Sequence, residues 1–560
     1  MIMELVFVYI AEHKILNKIS FITHPLFNVE FINNKIKITN KNDKIIQYYN
    51  GVKIKAIIGK NGCGKSTFLE FIEESFNYTE SSGFMIWFKR DDKNFLIQSV
   101  NYDTGSLHFD FCHPHSISTL DKKHLKKYKH NIVKINNLST FLPYVKSKKN
   151  NSIIDLSLSK QNSLTGNTRN TNLRNLITFF NESSWLYNKN ANYRYNFKFK
   201  TPSNVIRNWI FSLYKKENPD VKEHLLKYKF NDWYDYFFGN NKSISGNLAT
   251  RYSIFQYLIE RNIFSCIRYI SSTSLVDNEF SDKLASKIIH HILTKNHINP
   301  NHFIYLLDNV YTEWEGKREN KSNITKFDAD ILKSNISHIF MIFDKISHVI
   351  HNYLSTTSTV IVSDGLIIND PEVILHLLEL IAKLPKNINN NFSYGWVGFS
   401  TGELAKLNIF SSIYNYIQNK KTESTLFILD ETDLYLHPEW QRTFISELIS
   451  FLENETDTNK IQLLITTHSP LIIGDFLPDD IISLQLDSNN KPYQSESYGF
   501  GTEITDAYIS GMHISSTFGE HSRNKILELI DNKKENRLTE KDHWLISNLK
   551  DSSIKRMLTK

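Results

Sequence analysis

Gly59-Lys60-Asn61-Gly62-Cys63-Gly64-Lys65-Ser66 follows directly on the apolar run Val52 to Ile58 and leads into an amphipathic pattern from Thr67 to Phe76. The string fits G-x-x-x-x-G-K-[ST], the pattern of a phosphate-cradling loop. The run before it reads as a buried strand and the pattern after it as a helix. The glycines therefore sit at a strand-to-helix turn, where a missing Cβ lets backbone wrap closely around phosphate oxygens. The helix then points its unpaired N–H groups and positive dipole end at the anion. On this reading Gly59, Asn61, Gly62, Gly64, Lys65, Ser66 and Thr67 bind a nucleotide, Lys65 reaching the β- and γ-phosphates and the Ser66 hydroxyl ligating Mg²⁺. A bland glycine turn is the weaker reading in this strand–loop–helix context.

The chain of 560 residues is long enough for two or three domains. Its 41% hydrophobic and 22% charged residues are those of an ordinary soluble protein. A net charge of +7 permits nucleic-acid binding without arguing for it. Three cysteines, Cys63, Cys112 and Cys266, make no disulfide framework, which fits a reducing cytoplasm. The apolar start Met1 to Ile10 is short, lacks a basic n-region, is followed by charged residues and reads as a first strand rather than a signal peptide. No apolar segment approaches membrane-spanning length.

Three later segments decide the class of nucleotide site. Phe399-Ser400-Thr401-Gly402-Glu403-Leu404 heads a helical pattern running from Ala405 to Gln418. Ser400 and Gly402 there offer an anion-binding helix start, although a simple N-cap with Glu403 near the third helical position explains the string equally well. Thr425 to Leu429 is an apolar strand ending in Asp430-Glu431. Asp430 is placed to hold Mg²⁺ and Glu431 to polarise an attacking water. Leu463-Leu464-Ile465-Thr466-Thr467-His468-Ser469-Pro470 is another buried strand, ending in a histidine able to reach a γ-phosphate.

In this order the four segments resemble the head of an ABC-type ATPase, with phosphate loop, signature, Walker B strand and switch histidine. The D-E-x-x-L-x-L-H-P-x-x-Q pattern from Asp430 to Gln441, with Thr467-His468-Ser469-Pro470, is similar to the branch holding OLD proteins, SMC-type recombination ATPases and phage-defence ATPases. The resemblance covers roughly residues 1–100 and 390–520. It departs at Thr401, where many signatures carry glycine, while Ser400 and Gly402 are kept. It implies an α/β fold: an ABC-type P-loop head, a mixed sheet with flanking helices, carrying a large and mainly helical inserted domain. It also implies head-to-tail dimerisation, each ATP lying between one copy's phosphate loop and the other's Ser400–Glu403, with Glu431 and His468 catalytic.

The expected division is an N-terminal head lobe at 1–110, an inserted, mostly helical domain with a basic loop at 111–385, a C-terminal head lobe at 386–500 and a helical tail at 501–560. Gly83 to Phe111 alternates like an antiparallel sheet, and Gln98 within it could be the family's Mg²⁺-sensing glutamine. Asn136 competes for that role, and the sequence does not choose between them. Lys122, Lys123, Lys126, Lys127, Lys129, Lys146, Lys148 and Lys149 form a basic stretch that reads more readily as a solvated loop than a phosphate patch. Tyr187, Tyr193, Arg194, Tyr195, Phe197, Lys198 and Lys200 interleave bases and aromatics, a weak hint of single-stranded nucleic acid. His108, Asp110, Cys112, His113 and His115 lack a second ligand pair at zinc spacing and read as a strand face. From Ser203 to Leu384 the pattern is helical, without the sustained heptads of a long coiled coil.

Asp479, Asp480 and Asp487 read as turn residues and do not make the nuclease pattern of OLD proteins. The tail Phe500-Gly501-Thr502-Glu503-Ile504, then Gly519-Glu520-His521, resembles the end of Septu-type PtuA ATPases, including those encoded beside retrons. That resemblance implies a cytoplasmic antiphage ATPase regulating a separate HNH nuclease (PtuB-like), with a reverse transcriptase and single-stranded DNA or RNA as further partners and no membrane. The alternative is a repair or recombination ATPase that clamps DNA directly. A transporter motor is the least favoured, given the oversized insertion.

Overall fold

The computed structural model describes residues 2–41, 47–76, 80–111, 117–120, 130–137, 153–158, 167–182, 194–200, 203–217, 224–238, 250–273, 275–295, 297–315, 326–357, 361–362, 365–420, 423–511, 516, 518–550 and 552–559. Two compact units emerge, one from Met1–Lys160 with Tyr416–Lys560, the other from Gln161–Asn415.

The first unit is built on a seven-stranded sheet. Its order across the sheet is Ile153–Asp155, His130–Asn136, Ser424–Asp430, Ile461–Thr466, Lys53–Gly59, Ile481–Leu486 and Pro492–Ser495. Every pairing is parallel except the last. The three central strands, Ser424–Asp430, Ile461–Thr466 and Lys53–Gly59, are buried at every position, as parallel strands covered on both faces must be. Register places Asn136 opposite Asp430, Asp430 opposite Thr466 and Thr466 opposite Ile57, so the functional residues end at one edge. Ligands in open parallel sheets bind outside such carboxyl ends.

One core lies between this sheet, the helix Lys65–Glu74 and a second, five-stranded sheet that holds Met3–His13, Ser82–Lys89 and Asn94–Val100. Phe68, Leu69, Phe71 and Ile72 supply the helix's share of it. Gln462, buried on a central strand, ties the two sheets: its amide accepts from Leu5 N at 2.7 Å and donates to the Leu5 and Thr23 carbonyls at 2.7 and 3.0 Å. The far side of the five-stranded sheet packs on a three-stranded one through Phe7, Phe27, Val29 and Phe84.

His130–Asn136 and Ile153–Asp155 belong to the seven-stranded sheet, so that sheet takes in strands well past residue 110, where the expected division begins the insertion. The helix Thr401–Asn419 runs across the division between the units, which falls between Asn415 and Tyr416 rather than near 385. The second unit is chiefly helical, the longest helix among the described residues being Lys326–Thr356 with 31 residues. It also holds a four-stranded sheet, Ile361–Val362, Gly365–Ile368, Arg194–Phe199 and Phe392–Val397. Within it Tyr195 and Phe197, and Phe199 beside them, are buried in the core, so Tyr195 and Phe197 do not offer the base-stacking faces that the basic–aromatic pattern suggested. Tyr187, Tyr193, Cys112, His113, His115 and the whole lysine-rich set lie outside the described residues. Among the described residues no three His, Cys, Asp or Glu side chains converge as a metal site, and no helix is long and apolar enough to cross a membrane.

Lys53 and Lys55, inside the strand that leads to the phosphate loop, are buried, and each meets a carboxylate. Lys53 Nζ lies 3.4 Å from Glu4 and donates to the Asn459 carbonyl at 2.7 Å. Lys55 Nζ lies 3.3 Å from Asp480. Asp480 is thus more than a turn residue: it is fully buried and neutralises a buried lysine. Glu4 also meets Arg90 at 2.8 Å and His24 Nε2 at 3.3 Å. Leu26 N donates to His24 Nδ1, so Nε2 carries the proton that faces Glu4.

These groups, with the buried His130, are expected to make the first unit acid-labile. Burial holds His24 below the ordinary histidine value and His130 down at about 3. Although burial alone would raise Glu4, His24, Lys53 and Arg90 together hold it at about 2. A histidine kept neutral in the fold protonates first in the unfolded chain, so its contribution is present above its unfolded value, near 6.5, and lost as pH falls. Glu4 adds a contribution present above the free carboxylate value and lost toward pH 2. The unfolding free energy of this unit should decline steadily below pH 6.5, and His130→Asn should flatten that slope. Urea unfolding at pH 7.5, 6 and 5 checks it.

Candidate functional site

The phosphate loop has the backbone its glycines allow. Gly59, Gly62 and Gly64 take φ of +145°, +81° and +105°. A Cβ at Gly59 would stand 2.3 Å from the Leu484 carbonyl, and one at Gly64 would stand 2.8 Å from the Leu16 side chain. A Cβ at Gly62 would meet nothing, so there it is the positive φ alone that favours glycine. Asn61, Gly62 and Ser66 are exposed, with Thr67 half-buried behind them. Lys65 is folded back: its Nζ donates to the carbonyls of Gly59 and Lys60 at 3.0 and 3.2 Å. Burial pulls its ammonium below the usual lysine range, and Cys63, Glu431, Asp430 and Asp433 oppose that shift.

Two strands away, Asp430 is buried with both carboxylate oxygens engaged. Oδ1 accepts from Thr466 Oγ1 at 2.7 Å and Oδ2 from Asn136 Nδ2 at 3.2 Å. Glu431 turns off the strand end with φ +50°, a left-handed conformation that costs a residue with a Cβ about 1 kcal/mol or more. Its backbone N–H donates to Thr466 Oγ1 at 2.8 Å. Its Oε1 stands 3.5 Å from His468 Nε2. The imidazole of His468 beside it is the main reason the Glu431 carboxyl is held below the usual carboxylate range. The structure thus brings Lys65, Asp430, Glu431 and His468 to one edge of one sheet.

Gln98 is not among them. It is fully buried in the five-stranded sheet, accepting from Trp87 Nε1 at 3.0 Å and donating to Ser75 Oγ at 3.3 Å and the Ser75 carbonyl at 3.4 Å. Its amide is spent on packing that sheet against the end of the helix Lys65–Glu74, and of the two candidates it is Asn136 that the structure places against Asp430. Ser400 and Glu403 form a reciprocal cap: Ser400 N donates to Glu403 Oε2 at 2.7 Å and Glu403 N to Ser400 Oγ at 3.2 Å. The N-cap reading of this string therefore holds for the isolated chain, with Ser400 and Thr401 left at the surface and Gly402 half-buried.

Several groups had no role assigned from the sequence. Thr467 Oγ1 donates to Asp433 Oδ2 at 2.9 Å, and burial pushes the Asp433 carboxyl up. Gln441 donates to the Leu436 carbonyl at 3.0 Å and accepts from Ser469 Oγ at 2.8 Å, joining the loop after Glu431 to the segment after His468. His437 and Pro438 start the helix Pro438–Glu455, His437 Nδ1 accepting from Glu439 N at 3.3 Å. The available signal was polar residues, Thr466 and Thr467, closing an otherwise apolar buried run.

A phosphate loop followed by a helix, with an Asp-Glu pair and a histidine at the same sheet edge, defines a P-loop ATPase fold. The chain belongs to the family described as "AAA domain, putative AbiEii toxin, Type IV TA system", whose model matches residues 179–474. That stretch takes in the Ser400 helix, Asp430, Glu431 and His468, while the phosphate loop precedes it. The "Retron Vc95 probable ATPase" of Vibrio cholerae serotype O1 biovar El Tor is 32% identical over 151 residues, which is 26% of this chain and 28% of that relative. Among solved structures, that of the recombination mediator protein RecF with ATPrS covers 86% of this chain and 98% of its own, at 11% identity and a TM-score of 0.22.

Proposed function

We propose that this chain binds and hydrolyses ATP and uses the cycle to control a separate effector in antiphage defence. The observation that carries the ATPase part is the meeting of Lys65, Asp430, Glu431 and His468 at one sheet edge. In this reading Gly59 to Thr67 hold the phosphates, Lys65 exchanges its two carbonyl partners for phosphate oxygens, and Glu431 orients the attacking water and accepts its proton. His468 holds Glu431 in place and faces the γ-phosphate. The exposed Ser66 hydroxyl and Asp430, hard oxygen donors, fit Mg²⁺, with Asn136 ordering the carboxylate. Bound there, Mg²⁺ would neutralise charge on the β- and γ-phosphate oxygens.

Ser400, Gly402 and Glu403, at the exposed helix start, serve the nucleotide of a second copy, so two heads close head-to-tail over ATP and part after hydrolysis. The effector part rests on the resemblance of the tail to PtuA ATPases and on the partial match to the named retron protein. The partner is then an HNH nuclease, in a complex that includes a reverse transcriptase and its single-stranded DNA. A tagged pull-down from the native operon with ATP present tests this reading. A stoichiometric nuclease supports it, and a solitary dimer holding only duplex DNA favours a repair ATPase that clamps DNA directly.

A further inference from the structure

The strand Ile461–Thr466 lies between the strand ending at Asp430 and the strand leading into the phosphate loop. Its side chains are apolar apart from Gln462, which is used between sheets, and Thr466, its last residue. Thr466 is fully buried. Its hydroxyl has one proton and two lone pairs, and the structure uses them in a determined direction. The Glu431 N–H can only donate, so Oγ1 accepts from it at 2.8 Å, and the hydroxyl proton goes to Asp430 Oδ1 at 2.7 Å. One side chain thus holds two consecutive residues with different tasks.

The need for such a clamp follows from the backbone. The ladder between these strands ends with Asp430 opposite Thr466. Glu431 is the first residue beyond it, and its φ of +50° is one that a residue with a Cβ resists. A conformation of this kind persists only where its surroundings impose it. The hydroxyl on the neighbouring strand takes the Glu431 N–H where the ladder stops. His468, two residues further along the same strand end, meets the Glu431 carboxylate at 3.5 Å. Backbone and side chain of Glu431 are therefore both held from one neighbouring segment.

We infer that Thr466 is a positioning residue for ATP hydrolysis: its hydroxyl fixes the turned backbone of Glu431 relative to Asp430, and so aims the water-activating carboxylate. The inference rests on Glu431 having that role. It makes Thr466 a determinant of turnover more than of nucleotide affinity, because its hydroxyl reaches Glu431 and Asp430 and none of its hydrogen bonds goes to the phosphate loop glycines or Lys65, while Asp430 keeps its second contact, Asn136.

The test is steady-state ATP hydrolysis by the full chain with Mg²⁺, alongside equilibrium ATP binding, for wild type, Thr466→Val, Thr466→Ser, Glu431→Gln and the Thr466→Val/Glu431→Gln double variant. Valine keeps the shape and loses the hydroxyl; serine keeps the hydroxyl. Thr466→Val should lower kcat roughly 10- to 100-fold, the scale set by small misplacements of a reacting group, with ATP affinity nearly unchanged. Thr466→Ser should restore most of that loss. In the Glu431→Gln background the valine should cost little more, since both changes disable the same group. Wild-type kcat in Thr466→Val, an equal loss in Thr466→Ser, or losses that multiply in the double variant would each overturn the inference. Should Thr466→Val not fold, Thr466→Ala against Thr466→Ser makes the same comparison. Failure of the underlying reading looks different, because Glu431→Gln would then hydrolyse ATP like the wild type.

Discussion

Glu431→Gln should bind ATP as tightly as the wild type and hydrolyse it about 10²- to 10⁴-fold more slowly, the range that general-base groups contribute. The substitution is nearly isosteric and leaves the backbone N–H that Thr466 accepts untouched, so the turn at φ +50° persists. What disappears is a carboxylate that His468 keeps ionised below the usual carboxylate range. With that group ionised, wild-type turnover should hold through neutral pH and fall only as the medium becomes acidic enough to protonate Glu431. A glutamine cannot accept the proton at any pH. If two heads close over ATP, the variant should also accumulate as the ATP-bound dimer, visible by light scattering. Unchanged turnover would remove Glu431 from the reaction.

The second large effect falls on Lys65. Lys65→Ala should weaken ATP binding by roughly 100-fold, since charge-assisted hydrogen bonds are worth about 1.5–3 kcal/mol and a factor of ten costs about 1.4 kcal/mol. The fold should change little. The Lys65 ammonium is bonded to two loop carbonyls, and deleting it frees neutral acceptors, of which Lys60 is exposed and Gly59 buried, rather than a buried unpaired charge. Calorimetric titration separates the two effects: the heat of ATP binding vanishes at micromolar protein while the thermal midpoint stays near wild type.

How far the site was legible follows from the kind of information each residue carries. The loop Gly59 to Ser66, the Asp430-Glu431 strand end and the His468 strand end are local patterns, and each lies at the end of a buried strand as its pattern predicts. Asn136 is different. It meets Asp430 across 294 positions of sequence through parallel pairing, and only register shows it to be the partner. Gln98 carried the same residue chemistry in an alternating strand, but which face of the sheet it would occupy was not written in that alternation. Lys53 and Lys55 lie in a run read as a buried strand, and what the run does not show is that Glu4 and Asp480, from distant segments, neutralise them there. Within the basic–aromatic pattern Tyr195 and Phe197, with their neighbour Phe199, serve the core, because aromatic residues alternate on the inner face of any covered strand.

Calorimetric titration of the wild-type chain with ATP and Mg²⁺, run beside Lys65→Ala, tests the central claim most directly. One ATP per chain, bound only when Lys65 is present, is the predicted result. No binding by the wild type, or equal binding by both, would contradict the assignment of Gly59 to Ser66 as the nucleotide site and the functional account built on it.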